Sequence, residues 1–286
     1  MKVDWSVRTH IEAIFQPLNR RAAARAFPPM ASLSEALGKQ TPAKTTGASI
    51  VNVRPQVSAM FATASVDMWM RAVHSFLVSS SLTNVSDIWA SVAGYYSSHY
   101  SIRAFAHLFG YFHLHTQRKT VQLRLDGGRH VCEYHSKSKS DREHVAYWKL
   151  VKREGLFISD PLFTENTAGG TVPADVAHRD RANYIDHLAQ FATFRPLDEG
   201  ALKNRIDRIS GIEFSTPPIP DVARYPNVEA VQVVAYHRLV RYRDVVDSIL
   251  GSGNRFWSVH RNPAWASNFV DYQLTPQAAM RAPSNK

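Results

Sequence analysis

The sequence is poor in the features that would crosslink a chain or hold it in a membrane. Cys132 is the only cysteine among 286 residues, so an intramolecular disulfide is excluded and a reducing compartment is expected. No stretch approaches the run of about 18 apolar residues that a membrane span needs. Charged Asp4, Arg8 and Glu12 stand where a signal peptide would be apolar. We therefore expect a cytoplasmic protein that does not bind a membrane.

Motifs for several common chemistries are also missing. The sequence has no Gly-rich phosphate loop of the Walker or dinucleotide type, and no Gly-x-Ser-x-Gly nucleophile motif. No cofactor is therefore expected. Half a zinc site could be built near the centre of the chain, but a second Cys/His pair at ligand spacing is absent, so no metal site is predicted. The residues concerned are His113, His115, His130, Cys132 and His135.

Acidic residues are outnumbered by basic ones. The chain carries 34 Lys and Arg against 24 Asp and Glu, for a formal net charge of +10. The hydrophobic content of 44% is ordinary for a globular protein and sufficient for a core. An excess of positive charge favours phosphate-rich partners such as nucleic acid, although a role in solubility would also account for it.

Most of the sequence has helical periodicity. Apolar residues recur at helical spacing from Ser65, and again from Ile88 to Phe109, with Gly110 as a C-cap. These two segments predict a helical hairpin interrupted by "SSSLTN". Segment 38–58 has no clear period and is predicted to be a loop or linker. Further helices are predicted in 3–27, 141–155, 173–194 and 227–251.

One short region has a period of two. Residues 120–135, "TVQLRLDGGRHVCEYH", predict two strands around an Asp-Gly-Gly turn. The predicted fold class is therefore mainly α, a helical bundle with a small inserted β-hairpin near 120–135. The predicted domains are a basic N-terminal helix and linker (1–60), a helical core with the hairpin (62–195) and a helical C-terminal region (196–286).

The second helix of the predicted hairpin has an unusual polar side. On a helical wheel, Tyr96, Tyr100, Arg103 and His107 share one face beside the apolar stripe. Such residues can bury their apolar parts at a helix boundary while their polar tips stay wet. They can also form a basic, aromatic face at a groove or subunit interface. We expect Tyr96, Tyr100 and His107 to meet the helix in segment 175–194 or a second subunit. Arg103 should have an acidic or carbonyl partner, or lie at a hydrated interface.

The same helix carries a family resemblance. It reads "AGYYSSHYSIRAFAHLF", with paired tyrosines, small residues and an Arg-Ala pair, and it follows "VDMWMRAVHSFLVSS". Over about residues 64–112 this pattern resembles the HEPN superfamily of helical domains. The resemblance implies a bundle of four or more helices that often dimerises. Many HEPN members cut RNA without metal, and others have lost the site and serve as binding or assembly modules.

Catalytic HEPN members carry an arginine and a histidine with four to six residues between them. Several such pairs are expected by chance in a basic sequence with 13 histidines. Only the position of a pair in the fold can therefore indicate which one is catalytic. Arg181 and His187 lie on a predicted helix downstream of the paired tyrosines, where the family places its site, and are the predicted catalytic pair. The pairs that fit are Arg124/His130, Arg129/His135, Arg181/His187 and Arg255/His260.

The chemistry implied for Arg181 and His187 is RNA cleavage. A histidine can relay the proton of the 2′-hydroxyl while an arginine holds the phosphate, and DNA, which lacks that hydroxyl, would be inert. The alternative for this pair is a solvated face with local ion pairs. Further RNA contacts are predicted from Arg103, Arg179, Arg238 and Arg241.

Two function classes follow from these observations. One is an RNA-directed, metal-independent endoribonuclease of toxin or antiviral-defence type. The other is a non-catalytic helical module that contacts a protein partner or nucleic acid. A homodimer or a helical protein partner is expected in either case.

Overall fold

The structure, a computed structural model, describes residues 5–20, 30–42, 48–83, 85–114, 117–136, 143–153, 199–210, 228–251 and 256. Within these residues the helices are α1 (Trp5–Arg20), α2 (Met30–Lys39), α3 (Gln56–Leu82), α4 (Asp87–Leu108), α5 (Glu143–Arg153), α6 (Glu199–Ser210) and α7 (Val228–Leu250). The strands are β1 (Ser49–Asn52), β2 (Tyr111–Leu114), β3 (Lys119–Asp126) and β4 (Arg129–Ser136). None of the described helices is both long enough and apolar enough to cross a membrane.

The prediction of a mainly helical protein with a small β-hairpin is confirmed. Strands β3 and β4 pair antiparallel over the predicted segment, and Asp126 lies opposite Arg129 across the turn. Gly127 and Gly128 both have positive φ, 52° and 78°, which a two-residue hairpin turn of this type requires. The Asp-Gly-Gly signal therefore located the turn correctly.

The sheet is larger than predicted. It has four antiparallel strands in the order β1-β4-β3-β2, so the hairpin is extended by one strand on each side. The prediction of a loop for 38–58 is wrong, because this segment contains β1 and the beginning of α3. The predicted interruption at "SSSLTN" is wrong in part, because α3 continues to Leu82.

Gly110 joins α4 directly to the sheet. Its φ is +84°, and its N–H donates to the carbonyl oxygen of His107 at 3.0 Å, which ends the helix. Its own carbonyl oxygen accepts the N–H of Leu123 in β3 at 2.8 Å. A Cβ at this position would stand 2.7 Å from the carbonyl oxygen of Leu123, so only glycine fits.

The chain divides into two compact units, and each unit is built from segments that are separated in the sequence. The hairpin unit comprises Met1–Lys2, Trp69–Ile102 and Phe157–Tyr242. The sheet unit comprises Val3–Met68, Arg103–Leu156 and Arg243–Lys286. Helices α3, α4 and α7 each contribute residues to both units. All contacts below lie within one unit or the other.

Serine hydroxyls connect α3 and α4 at regular intervals. Each donates to a main-chain carbonyl of the opposite helix at 2.6–2.8 Å, and both partners recur every seven residues. Two such bonds lie in the hairpin unit and one in the sheet unit. They are Ser97 to Ala72, Ser79 to Ala90, and Ser65 to Ala104. Small side chains at these positions let the two helices approach closely while every hydroxyl keeps a partner.

Within the hairpin unit, Gly94 marks close packing of α3, α4 and α7. A Cβ added there would lie 3.0 Å from both Ser79 Oγ and Val231 Cγ1. Nearby, the indole N–H of Trp69 donates to the carbonyl oxygen of Leu239 at 3.1 Å, and its ring stacks on Tyr242. These contacts seat α7 on one side of the α3–α4 hairpin.

Candidate functional site

The two sides of the α3–α4 hairpin differ in exposure. Each serine–carbonyl contact joins one residue of α3 to one residue of α4. Because the two helices are antiparallel, the residues that directly precede these contact residues project to one side of the hairpin, and the residues that directly follow them project to the other. In the hairpin unit, the residues after each contact are buried: Val73, Ser80, Ser91 and Ser98. The residues before each contact are exposed or half-buried: Arg71, Val78, Trp89 and Tyr96. The hairpin thus has a closed side and an open side.

The open side combines aromatic and basic residues. Trp89 is 60% exposed and Val78 36%, and both are among the few large apolar side chains on the surface of the described residues. The rings of Tyr96 and Tyr100 follow on α4, 5.8 Å apart, both half-buried. We call this surface the open face, and it consists of Arg71, His74, Val78, Trp89, Tyr96 and Tyr100.

Acidic side chains are few along these helices, and Asp67 of α3 lies four residues before Arg71. Asp87 is the one acidic residue in the portions of α3 and α4 that belong to the hairpin unit. It lies three residues before the contact position Ala90, which turns it toward the closed side. There its charge acts on Arg205 of α6. Asp87 therefore does not add a carboxylate to the open face.

A buried amide holds the closed side together. Gln232 of α7 is fully buried, and its side-chain N–H groups donate to the carbonyl oxygen of Ser79 at 3.0 Å and to Thr83 Oγ1 at 2.8 Å. Its side-chain oxygen accepts from Arg205 Nε and Nη2 at 3.0 and 2.9 Å. Burial lowers the pKa of Arg205, against the raising effect of Glu229. This network positions α6 and α7, and the sequence analysis did not identify it.

Arg238 differs from its predicted position. Arg238 is a predicted RNA contact, but its side chain is fully buried and its guanidinium donates to Ser98 Oγ on α4. The reason is that α7 packs against the serine-rich closed side of α4, which offers polar partners inside the core. A side chain without exposed surface is not available to a phosphate. Arg241, on the same helix, is half-buried.

His107, predicted to lie at an interface, is in the core of the sheet unit. Its Nδ1 donates to the carbonyl oxygen of Tyr111 at 2.8 Å, so the ring is the neutral Nδ1–H tautomer. The ring stacks on Phe112 at 5.2 Å and meets the edge of Tyr147 at 5.7 Å. Burial, with a smaller contribution from the Arg103 charge, lowers the pKa of His107 to about 3. The histidine therefore meets β2 and α5.

Arg103 and His113 complete this cluster. The guanidinium of Arg103, which is half-buried, lies over the ring of Tyr147 at 5.1 Å. His113 Nδ1 is 2.8 Å from Thr120 Oγ1, and its ring is 4.3 Å from that of Tyr147. Because His107 stays neutral and has no access to water, it cannot act as an acid or base near neutral pH. The cluster is therefore a core contact between α4, β2 and α5.

The predicted catalytic pair cannot be placed. Arg181, His187 and the predicted RNA contact Arg179 lie outside the described residues, as do Arg255 and His260. Their roles stay predictions.

The other two Arg/His pairs do not converge. Arg124 forms an ion pair with Glu133 at 2.7 Å. His130 lies opposite Leu125, the residue after Arg124, and therefore projects from the other face of the sheet, where it contacts Ser58. Arg129 and His135 share a face of β4 but stand six residues apart, a separation of about 20 Å.

The described residues contain no group of three or more His, Cys, Asp or Glu that could hold a metal ion. Cys132 is buried in the sheet, and burial raises the pKa of its thiol to about 12. A thiol with so high a pKa is a poor nucleophile and a poor metal ligand at neutral pH. His115 lies outside the described residues.

The chain was compared with known proteins, and no family model, curated protein or solved structure matches it. A function must therefore be argued from the chemistry of its own side chains. Of the surfaces described, the open face presents the densest combination of exposed aromatic and cationic groups, and it is the candidate functional site.

Proposed function

We propose that this protein binds RNA and that it is a helical protein of HEPN type. The observation that carries the proposal is the open face, where Arg71 and His74 share one side of the hairpin with Trp89 and two tyrosines. Nucleic-acid surfaces combine cationic side chains, which attract phosphates, with aromatic rings, which stack on bases. The net charge of +10 would speed encounter with any polyanion.

A protein partner is the competing occupant of this face. Exposed Trp and Tyr are also typical of protein interfaces, as a dimer of HEPN type would require. RNA is favoured because an interface core is usually depleted of charge. The open face instead has an arginine and a histidine on the same side of the hairpin as its aromatic residues.

RNA cleavage by Arg181 and His187 is a separate part of the proposal. The histidine would accept the 2′-hydroxyl proton, and the arginine would hold the phosphate as negative charge builds on its oxygens. Neither step needs a metal ion. A protein that binds RNA without cleaving it would be the non-catalytic alternative.

One experiment tests both parts. The purified full chain is mixed in EDTA with a fluorescently labelled RNA of mixed sequence, and binding is followed by anisotropy at about 50 mM and about 200 mM salt. We expect binding that weakens as salt is raised. Undetectable binding at the lower salt concentration would overturn the proposed function.

The same mixtures, run on a denaturing gel, report cleavage. We expect shortened RNA with the wild-type chain and intact RNA with His187→Ala, while both proteins bind equally in the anisotropy assay. Equal cleavage by the two proteins would remove His187 from the mechanism, and no cleavage by either would leave a binding module.

A further inference from the structure

The two edges of the sheet differ in how their main-chain groups are satisfied. We propose that the outer edge of β1 binds an extended peptide segment of a partner protein. This segment pairs antiparallel with β1 and carries an acidic residue beside Arg54 and an apolar residue beside Ile50. The proposal concerns a surface of the sheet unit and does not depend on RNA binding by the open face.

The edge formed by β2 is closed by side chains. Alternate residues of an edge strand point their N–H and C=O groups away from the neighbouring strand, and on β2 these residues are Tyr111 and His113. The carbonyl oxygen of Tyr111 accepts a hydrogen bond from His107 at 2.8 Å. The N–H of His113 donates to the hydroxyl of Tyr147 at 3.3 Å. Side chains of α4 and α5 therefore occupy this edge.

The edge formed by β1 is open. The N–H of Val53 donates to the carbonyl oxygen of His130 at 2.9 Å, so Val51, two residues earlier, also faces β4. The N–H and C=O groups of Ile50 and Asn52 therefore point outward. Within the described residues no hydrogen bond reaches these groups, and both side chains are exposed. Such an edge can accept one further strand.

Ile50 adds apolar surface to this edge. Its side chain is 63% exposed, the highest value among the large apolar residues that the structure describes. Edge strands are commonly protected by a charged residue or a proline within the strand. Strand β1, which reads Ser-Ile-Val-Asn, has neither, and Pro55 follows only after its end. An incoming strand with an apolar residue opposite Ile50 would cover that side chain.

Positive charge lies at the end of β1. Arg54 is exposed, and its guanidinium forms no ion pair or hydrogen bond within the part of the chain that the structure describes. Arg129, also exposed, begins β4 at the same end of the sheet. The acids on the neighbouring strands are Asp126, on β3 opposite Arg129, and Glu133, which is paired with Arg124. A carboxylate on the incoming strand would give Arg54 an ion pair that β1 itself does not supply.

The size of the edge favours a peptide over a second copy of the chain. Stable protein interfaces bury about 1,200–2,000 Å². Strand β1 has four residues and is therefore about 14 Å long, so two such edges paired alone fall well short of that area. A peptide added to a sheet edge needs only main-chain hydrogen bonds and a few side-chain contacts.

Antiparallel pairing determines which peptide residue meets which side chain. A peptide that contains Glu-Val-Thr-Val-Ile places its glutamate opposite Arg54, its threonine opposite Asn52 and its isoleucine opposite Ile50. The N–H groups of the threonine and the isoleucine then point toward β1, whereas the N–H groups of the two valines point away from it.

The test mixes the purified full chain with a fluorescently labelled peptide that has this five-residue centre, and anisotropy measures the affinity. N-methylation of the threonine removes a donor aimed at β1, and N-methylation of the second valine, whose N–H points away, is the matched control. We expect saturable binding, an affinity loss of about 10-fold or more for the first change, and less than about 3-fold for the second. Equal effects of the two methylations, or undetectable binding of the unmodified peptide, would overturn the proposal.

Arg54→Gln tests the charge, with Arg118→Gln as the control at an exposed arginine between β2 and β3. Arg54→Gln should weaken binding of the glutamate peptide by about 2-fold to 5-fold and should not affect a peptide with glutamine in that place. Arg118→Gln should change neither affinity. Equal effects of the two substitutions would show that only net charge attracts the peptide, and would overturn the placement of an acid beside Arg54.

Self-association separates a peptide from a second copy of the chain. Ile50→Lys places a charge on the edge and keeps its main-chain groups. If wild type forms dimers that Ile50→Lys abolishes, and no peptide binds, the edge is an interface between copies and the proposal fails. Peptide binding without RNA binding would support this proposal and overturn only the proposed function, and RNA binding without peptide binding would do the reverse.

Discussion

His107 offers a quantitative test of the core of the sheet unit. Burial lowers its pKa to about 3, whereas the same side chain in the unfolded chain titrates at the ordinary value of 6.5. The unfolded state therefore binds a proton that the folded state excludes as the pH falls below 6.5. The stabilising contribution is fully present above pH 6.5 and is lost as pH falls toward about 3, at about 1.4 kcal/mol per pH unit.

The expected loss is large enough to measure. Between about pH 7.5 and about pH 4.5, exclusion of this proton should lower the free energy of unfolding by about 2–3 kcal/mol, against a typical total of about 5–15 kcal/mol. Urea unfolding followed by circular dichroism would report it at several pH values. Since the pKa of half-buried His10 is also lowered, wild type alone is insufficient, and the difference from a variant must be used.

His107→Asn is the informative variant. Its side-chain amide can still donate to the carbonyl oxygen of Tyr111, but it does not titrate. We expect lower stability at neutral pH, from loss of the ring contacts with Phe112 and Tyr147, and a shallower dependence of stability on pH. His74→Asn, which makes the same change at an exposed position of α3, is the control. Identical pH dependences for wild type and His107→Asn would refute the reasoning.

Two further predictions concern buried polar groups. Gln232→Leu should lower the free energy of unfolding by about 3 kcal/mol, because Arg205 and Thr83 lose their buried partner. The control is Gln122→Leu, at a half-buried strand position, which should lower it by less than about 1 kcal/mol. Urea unfolding measures both, and equal costs would contradict a structural role for Gln232. The Cys132 thiol, whose pKa is raised to about 12 by burial, should not react with a thiol reagent in the native protein and should react promptly in urea. Fast labelling of the native protein would show that the sheet opens.

The elements that could be predicted from the sequence are those with strong local signals. The Asp-Gly-Gly turn and the long apolar stripes depend on residues close together in the chain, and these predictions are confirmed. Strand β1 has four residues with one exposed isoleucine, and its partner β4 lies about 80 residues later, so local reasoning could not find it. Strand β2 has only four residues and is buried throughout, so it lacks the alternation of apolar and polar residues that predicts a strand.

The candidate site was visible in part. The wheel identified Tyr96 and Tyr100 as a polar boundary, but it did not include Trp89 or Arg71. Which side of a helix stays open depends on the helices packed against it, and a single helical wheel does not contain that information. The seven-residue spacing of Ser and Ala in both helices was the missing signal, because it identifies the contact line and hence both sides. Arg238 was misplaced for the same reason: its burial depends on Ser98 of another helix.

The spacing of the serine–carbonyl bonds also has a mechanical consequence. A small slide of α3 along α4 would separate the hydroxyls from their carbonyl acceptors on both helices at once, and the next position that restores the same spacing is seven residues, or about 10 Å, away. Within the hairpin unit, shear between these two helices is therefore not a low-energy motion. An RNA bound on the open face would meet a stiff platform, and any conformational response to it would have to occur at the ends of the hairpin.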